Sequence, residues 1–157
     1  MMKSFWAKNK PIILQVALAL AAGALGALLS GGQELYKDLV KPPLSPPAWL
    51  FPVAWSILYV LMGVAAGLVI KVGEAPFGSV MRRYYVQLAL NILWPTIFFR
   101  FELLTVALIW LAVLIGAIVR TRQGFRRVSD TAGRLLVPYL LWCLFALYLN
   151  AGFVILN

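Results

Sequence analysis

Five stretches of this chain contain no Asp, Glu, Lys or Arg: residues 11–33, 42–70, 84–99, 103–119 and 135–157. An α-helix needs about 17–25 apolar residues to cross the hydrocarbon layer of a bilayer. The first, second and fifth stretches have that length outright. The third and fourth are slightly short, but Arg82, Arg83, Arg100 and Arg120 at their ends can reach the interface while their stems stay in the apolar layer. The pattern predicts an all-α, integral membrane bundle of five transmembrane helices, one domain over 1–157. The helices are expected near 11–30, 46–70, 80–100, 102–121 and 133–156, with a connection at 31–45.

Composition supports a membrane environment. Hydrophobic residues make up 63% of the chain and charged residues 12%, with a mean hydropathy of +0.91. Soluble domains are about half apolar and about a quarter charged, and a core of this size cannot hide the surplus. The excess faces lipid, which argues against a water-soluble enzyme. Lys3, Lys8 and Lys10 before an apolar run also fit a secretory signal, but the run exceeds the usual 7–15 residues of such a segment, so a retained helix is expected.

The net charge of +9 would suggest nucleic acid in a soluble protein. In a membrane protein, basic residues instead orient the chain. Eleven of the 14 Lys and Arg fall in the N-terminus and the connections after the second and fourth helices; Lys37, Lys41 and Arg100 lie on the other side. The N-terminus is therefore expected in the cytoplasm and the C-terminus outside, with the lipid bilayer and no nucleic acid as partner. Cys143 is alone and histidine is absent, which removes an intrachain disulfide, the usual zinc and haem ligand and the usual general base. No metal site and no cofactor are expected.

The long outer connection begins at Gly31-Gly32, which should stop the first helix. It ends Lys41-Pro-Pro-Leu-Ser-Pro-Pro47, where Ser45 can cap the second helix and Pro46 suits its first position. Prolines make this segment stiff; it is either a lid over the bundle mouth or a plain surface loop.

The predicted membrane interior holds no charge, which disfavours proton-coupled transport, charged-ring channels and acid–base chemistry. It holds amides and aromatics instead. Gln87, Asn91, Trp94 and Phe98 share one helical face, Trp55, Tyr59 and Met62 a second, and Tyr139, Trp142, Ala146 and Asn150 a third. An amide in hydrocarbon must find a partner, so these faces point inward. Trp94-Pro95 predicts a kink. Trp6, Tyr84 and Tyr85 suit an interfacial belt. Trp55, Trp94 and Trp142 suit either a pocket for a flat, largely apolar ligand or tight structural packing. The rows Ala19, Gly23, Ala27 and Ala22, Gly26, Ser30, with Gly63 and Gly67, mark close helix contacts.

A more specific signal lies in the order of these residues. Leu35-Tyr36, Lys41-Pro42, Ser45-Pro-Pro47, Trp49, Phe51, Val53-Ala-Trp55, Leu58-Tyr59 and Met62-Gly63 resemble the signature of the TspO/MBR family. Gln87-Leu-Ala-Leu-Asn91, Trp94-Pro95 and Phe98-Phe99 resemble its third helix. Leu136-Val-Pro138-Tyr-Leu-Leu-Trp142, Phe145-Ala146 and Leu149-Asn150 resemble its fifth.

The resemblance implies a five-helix bundle, often a homodimer. It implies a receptor or sensor for tetrapyrroles such as protoporphyrin IX and haem, and for other flat hydrophobic ligands, reached from the side carrying the 31–45 loop. It places Tyr36 and Phe51 near the lid and Trp55, Asn91, Trp94, Trp142 and Ala146 around the cavity; Trp49, Tyr59 and Phe98 complete the expected ligand-binding residues. It leaves two alternatives: passive transport of such ligands, and light- and oxygen-dependent porphyrin degradation with Trp55 and Trp142 as the catalytic residues. The implied location is the bacterial cytoplasmic membrane, with the outer membrane as the other choice. Three positions depart from the pattern: Leu35 replaces the Trp of a Trp-Tyr pair, Val106 stands where animal members carry a Trp, and no basic residue follows Leu149, so a sterol motif is not expected there.

Overall fold

The computed structural model describes residues 2–157, and the regular elements among them are all helices. In chain order, the α-helices are α1 (Met2–Ser30), α2 (Glu34–Asp38), α3 (Leu50–Lys71), α4 (Ser79–Pro95), α5 (Leu104–Val128), α6 (Asp130–Leu135) and α7 (Val137–Leu156). Four segments are long and apolar enough to cross a membrane: α1, α3, α5, and α6 with α7 taken together. The expected third span, α4, has 17 residues and is shorter than the others. At Pro95 its path widens into a π-helical turn, Thr96–Arg100. Proline lacks the N–H that an α-turn would use, so the expected kink takes the form of this looser turn.

The remaining boundaries differ from the sequence expectation for local reasons. α1 starts at Met2 rather than near residue 11, with Pro11 inside it. α3 starts at Leu50 rather than at 46. Ser45 and Pro46 each precede a proline, which pushes both out of the helical region; turns closed by Leu50 N–H to Pro47 O and Phe51 N–H to Ala48 O come first. Ser45 therefore caps no helix, and its hydroxyl donates to Pro42 O at 2.7 Å. α5 runs on to Val128, and Ser129 caps α6 by accepting the Ala132 N–H. The end of α1 is as expected: Gly31 and Gly32 take φ of 75° and 110°, which favours glycine.

α1 packs antiparallel to α3 through glycines. A Cβ on Gly63 would overlap the Val16 backbone, and one on Gly67 would overlap Ile12. Gly26 brings α1 against the Ile92 backbone of α4. A core of Met62, Ala65, Ala66, Met81, Leu114, Ile118 and Phe125 fills the end of the bundle away from the 31–49 loop. Tyr84 and Tyr85 belong to that interior rather than to a lipid-facing belt. Tyr84 is fully buried with its ring 5.6 Å from Phe125, and Tyr85 accepts a hydrogen bond from Gln15 at 3.0 Å. Trp6 is exposed, as expected. The described ion pairs, Lys37–Glu34 and Asp130 with Arg126 and Arg134, sit at helix ends.

The two chain ends lie at opposite ends of the bundle. Asn9 accepts from Lys71 at one end, and Asn157 bonds Val40 at the other.

Candidate functional site

Between the loop and the packed core lies a cavity of about 460 Å³, walled by α1, α3, α4, α5 and α7 and roofed by α2. Ligand sites typically fall between about 300 and 1,000 Å³.

A chain of hydrogen bonds forms its floor. Tyr59 on α3 donates to Oδ1 of Asn91 on α4 at 2.6 Å. The Asn91 amide donates to the Tyr139 hydroxyl at 2.6 Å, and Tyr139 donates to Oε1 of Gln87 at 2.7 Å. Three helices are thereby tied together by groups that apolar surroundings would otherwise leave unpaired. Tyr59 and Asn91 face the cavity, while Gln87 and Tyr139 stand behind them.

Aromatic rings make the walls. Trp55 lies 5.7 Å from Tyr59 and 6.2 Å from Tyr139 between ring centroids. Trp94 lies 5.2 Å from Phe98, and Phe51 meets Trp142 edge-on at 6.1 Å. Tyr36 closes the top, edge-on to Phe51 at 5.1 Å and to Phe153 at 5.7 Å. Its hydroxyl donates to Pro46 O at 2.6 Å, and Lys41 Nζ lies 5.1 Å from its ring centre. Burial pushes the Tyr36 phenol above its usual range, with the nearby Ser45 hydroxyl opposing in part.

Of the residues expected here, Tyr36, Phe51, Trp55, Tyr59, Asn91, Trp94, Phe98, Trp142 and Ala146 all line the cavity. Trp49 does not. It precedes α3 on the outer side of the turn and is 65% exposed. The face expected around Gln87 and Tyr139 is correct, but both sit one layer too deep to touch a ligand.

The sequence reading missed the α1 wall. Gly23, Ala24, Gly26, Ala27 and Ser30 line the cavity, although their spacing suggested only helix contact. A Cβ on Gly23 would overlap the Tyr59 ring, so this glycine both admits the ring and leaves free space beside it. Asn150 and Phe153 on α7 also contribute. A small-residue row opposite an aromatic row on another helix was the available signal.

Three polar atoms in these walls lack a hydrogen-bond partner among the described residues: the indole Nε1 groups of Trp94 and Trp142, and Oδ1 of Asn150. The Asn150 amide nitrogen is satisfied by Leu104 O at 2.9 Å. The site is an aromatic chamber with no ionised group on its walls, and these three polar atoms lie buried just behind its surface.

A profile of the TspO/MBR family matches residues 15–156. The tryptophan-rich protein TspO of Chlorobaculum tepidum is 39% identical over 158 residues, covering 95% of this chain and 99% of its own. The tryptophan-rich sensory protein of Cereibacter sphaeroides is 38% identical, over 87% of this chain and 85% of its own. The translocator protein of Homo sapiens is 39% identical, over 76% of this chain and 72% of its own.

Proposed function

This chain belongs to the TspO/MBR family of membrane proteins, and on that premise we propose that it is a receptor for tetrapyrroles, such as protoporphyrin IX or haem, and for related flat hydrophobic molecules. The observation that carries the reading is the aromatic cavity itself, whose wall residues Trp94, Trp142 and Asn150 each hold an unpartnered polar atom buried just behind its surface. A buried polar group left unpaired costs about 1–3 kcal/mol. A ligand that draws these side chains round to meet its own polar edges offsets that cost, while its faces stack on the rings. No charged side chain lines the chamber, so ligand passage driven by an intramembrane proton relay has no support.

The test is quenching of tryptophan fluorescence by protoporphyrin IX. Saturable quenching that weakens in Trp94→Phe and Trp142→Phe supports the reading. Quenching that is linear in porphyrin, and identical in both variants, overturns it.

A second reading, light-driven oxidation of the bound porphyrin by dioxygen, is favoured by the placement of Trp55 and Trp142 on the same cavity. Its measure is loss of the porphyrin Soret band under illumination. Loss no faster than for free porphyrin in the same detergent rejects it.

We further propose that the N-terminus is cytoplasmic, from the excess of Lys and Arg at that end, and that the protein forms a homodimer in a bacterial cytoplasmic membrane.

A further inference from the structure

The cavity has two candidate openings, and they are built differently. We propose that ligand passes between cavity and bilayer through the seam of α1 and α3, beneath a loop that acts as a fixed roof. The inference rests on the receptor reading and narrows it to flat amphiphiles that dissolve in the membrane.

The seam is tight at one end and open at the other. Gly67 against Ile12 and Gly63 against Val16 hold the backbones together. Carried further, the same antiparallel register sets Ala24 level with Trp55 and Ser56, and Ala27 level with Pro52. Leu20, Ala24, Ala27, Pro52 and Ser56 all line the cavity, yet all are exposed on the outer surface of the bundle. A wall residue that is also a surface residue marks an aperture. The seam offers little polar resistance, because the Ser56 hydroxyl is tied back to Pro52 O at 2.7 Å. Depth places this aperture in lipid. Leu20 and Ala27 stand about 15 and 25 Å along α1 from Lys10, its last charged residue, at 1.5 Å per residue. That range runs from mid-bilayer towards the loop-side interface.

The roof is pinned to α7 at two points and braced within itself at a third. Asn157 accepts from Val40 N–H at 2.9 Å and donates to Val40 O at 3.0 Å. Tyr148 donates to Pro43 O at 2.7 Å, and Tyr36 donates to Pro46 O at 2.6 Å. Four prolines stiffen the strap between these pins. Lifting it breaks the three hydrogen bonds to Asn157 and Tyr148 and separates Tyr36 from Phe51 and Phe153. Widening the seam at this end moves Leu20, Ala24, Ala27, Pro52 and Ser56 apart and breaks no described hydrogen bond between α1 and α3 there.

The experiment uses the full chain in proteoliposomes, with protoporphyrin IX as probe and stopped-flow tryptophan quenching as readout. Ala24→Phe and Ser56→Phe narrow the seam; Asn157→Ala combined with Tyr148→Phe loosens the roof without touching the cavity wall. The seam variants are expected to slow association and dissociation together, by tenfold or more each; both residues also line the cavity, so the paired rates and not Kd are the readout. The roof variant should keep both rates within twofold of the parent. In the parent protein, association should follow the porphyrin mole fraction in the lipid as the lipid-to-protein ratio is varied. Rates that rise in the roof variant, seam variants that lose affinity with association unchanged, or association that tracks aqueous porphyrin each overturn the lateral route while leaving the receptor intact. Absence of saturable binding in the parent removes the receptor reading itself.

Discussion

The Tyr59 hydroxyl donates to Oδ1 of Asn91 across the α3–α4 contact at 2.6 Å, and the same Asn91 side chain donates onward to Tyr139 on α7 at 2.6 Å. One amide thus joins three helices and forms the surface on which a ligand would rest. Asn91→Leu should lower stability by about 1–3 kcal/mol, because the buried Tyr59 hydroxyl loses its acceptor and the Tyr139 hydroxyl loses a donor. Thermal unfolding in detergent measures this. Tyr139→Phe should cost a similar amount, since it strands the buried Asn91 amide N–H and Gln87 Oε1 while leaving Tyr59 paired with Asn91.

The α1–α3 contact depends on the absence of a side chain at two positions. Gly63→Leu drives a side chain into the Val16 backbone and should cost about 1–3 kcal/mol or prevent folding. Gly116→Ala on α5 meets nothing within 4 Å and removes a poor helix former; it should leave stability unchanged or raise it by up to about 1 kcal/mol. Unfolding midpoints of the two variants should move in opposite directions or differ by several degrees.

Indole donors can be separated from indole bulk. Trp94→Phe and Trp142→Phe keep a ring in the wall but remove the unpartnered N–H. Each should weaken protoporphyrin binding by about 3- to 10-fold, the size of one ordinary hydrogen bond. Asn150→Leu should weaken it similarly, in titrations following residual tryptophan emission.

The roof should be insensitive to pH over the neutral range. Burial raises the Tyr36 phenol above its ordinary value of 10.0, so the neutral donor is favoured in the folded state. Its bond to Pro46 O is therefore fully present below about pH 10 and is lost as pH climbs beyond that. Proteolysis within residues 37–47 should be constant from pH 6 to 9 and should accelerate only above pH 10. Tyr36→Phe should show the faster cleavage from pH 6 to 9, with the difference closing as the parent loses the bond at higher pH.

A reporter fused after Asn157 should be active outside the cytoplasm, and one fused ahead of Met1 inside. Opposite placement of the chain ends follows from the Lys71–Asn9 and Asn157–Val40 contacts; its direction follows from the Lys and Arg bias.

Much of the chamber was readable along the chain because helical periodicity alone decides which residues share a face. Trp55 with Tyr59, Asn91 with Trp94 and Phe98, and Trp142 with Ala146 were each set on a common stripe, and an amide in an apolar helix turns its stripe inward. Trp49 was misplaced because it belongs to no helix, so periodicity says nothing about its direction. Tyr84 was misread for a related reason: an aromatic beside two arginines looks interfacial until α5 brings Phe125 over it.

The sequence by itself determined the membrane environment, the helical class and the inward faces, since each follows from local quantities: apolar run length, residue spacing and the cost of an unpaired amide in hydrocarbon. Only the tertiary structure decided that α1 supplies a wall, that Gln87 and Tyr139 lie behind Asn91, and that the seam of α1 and α3 opens where Ala24 meets Ser56. Those depend on how far apart two backbones sit. That distance is fixed by glycines and rings on different helices meeting in space, and no spacing along one helix encodes it.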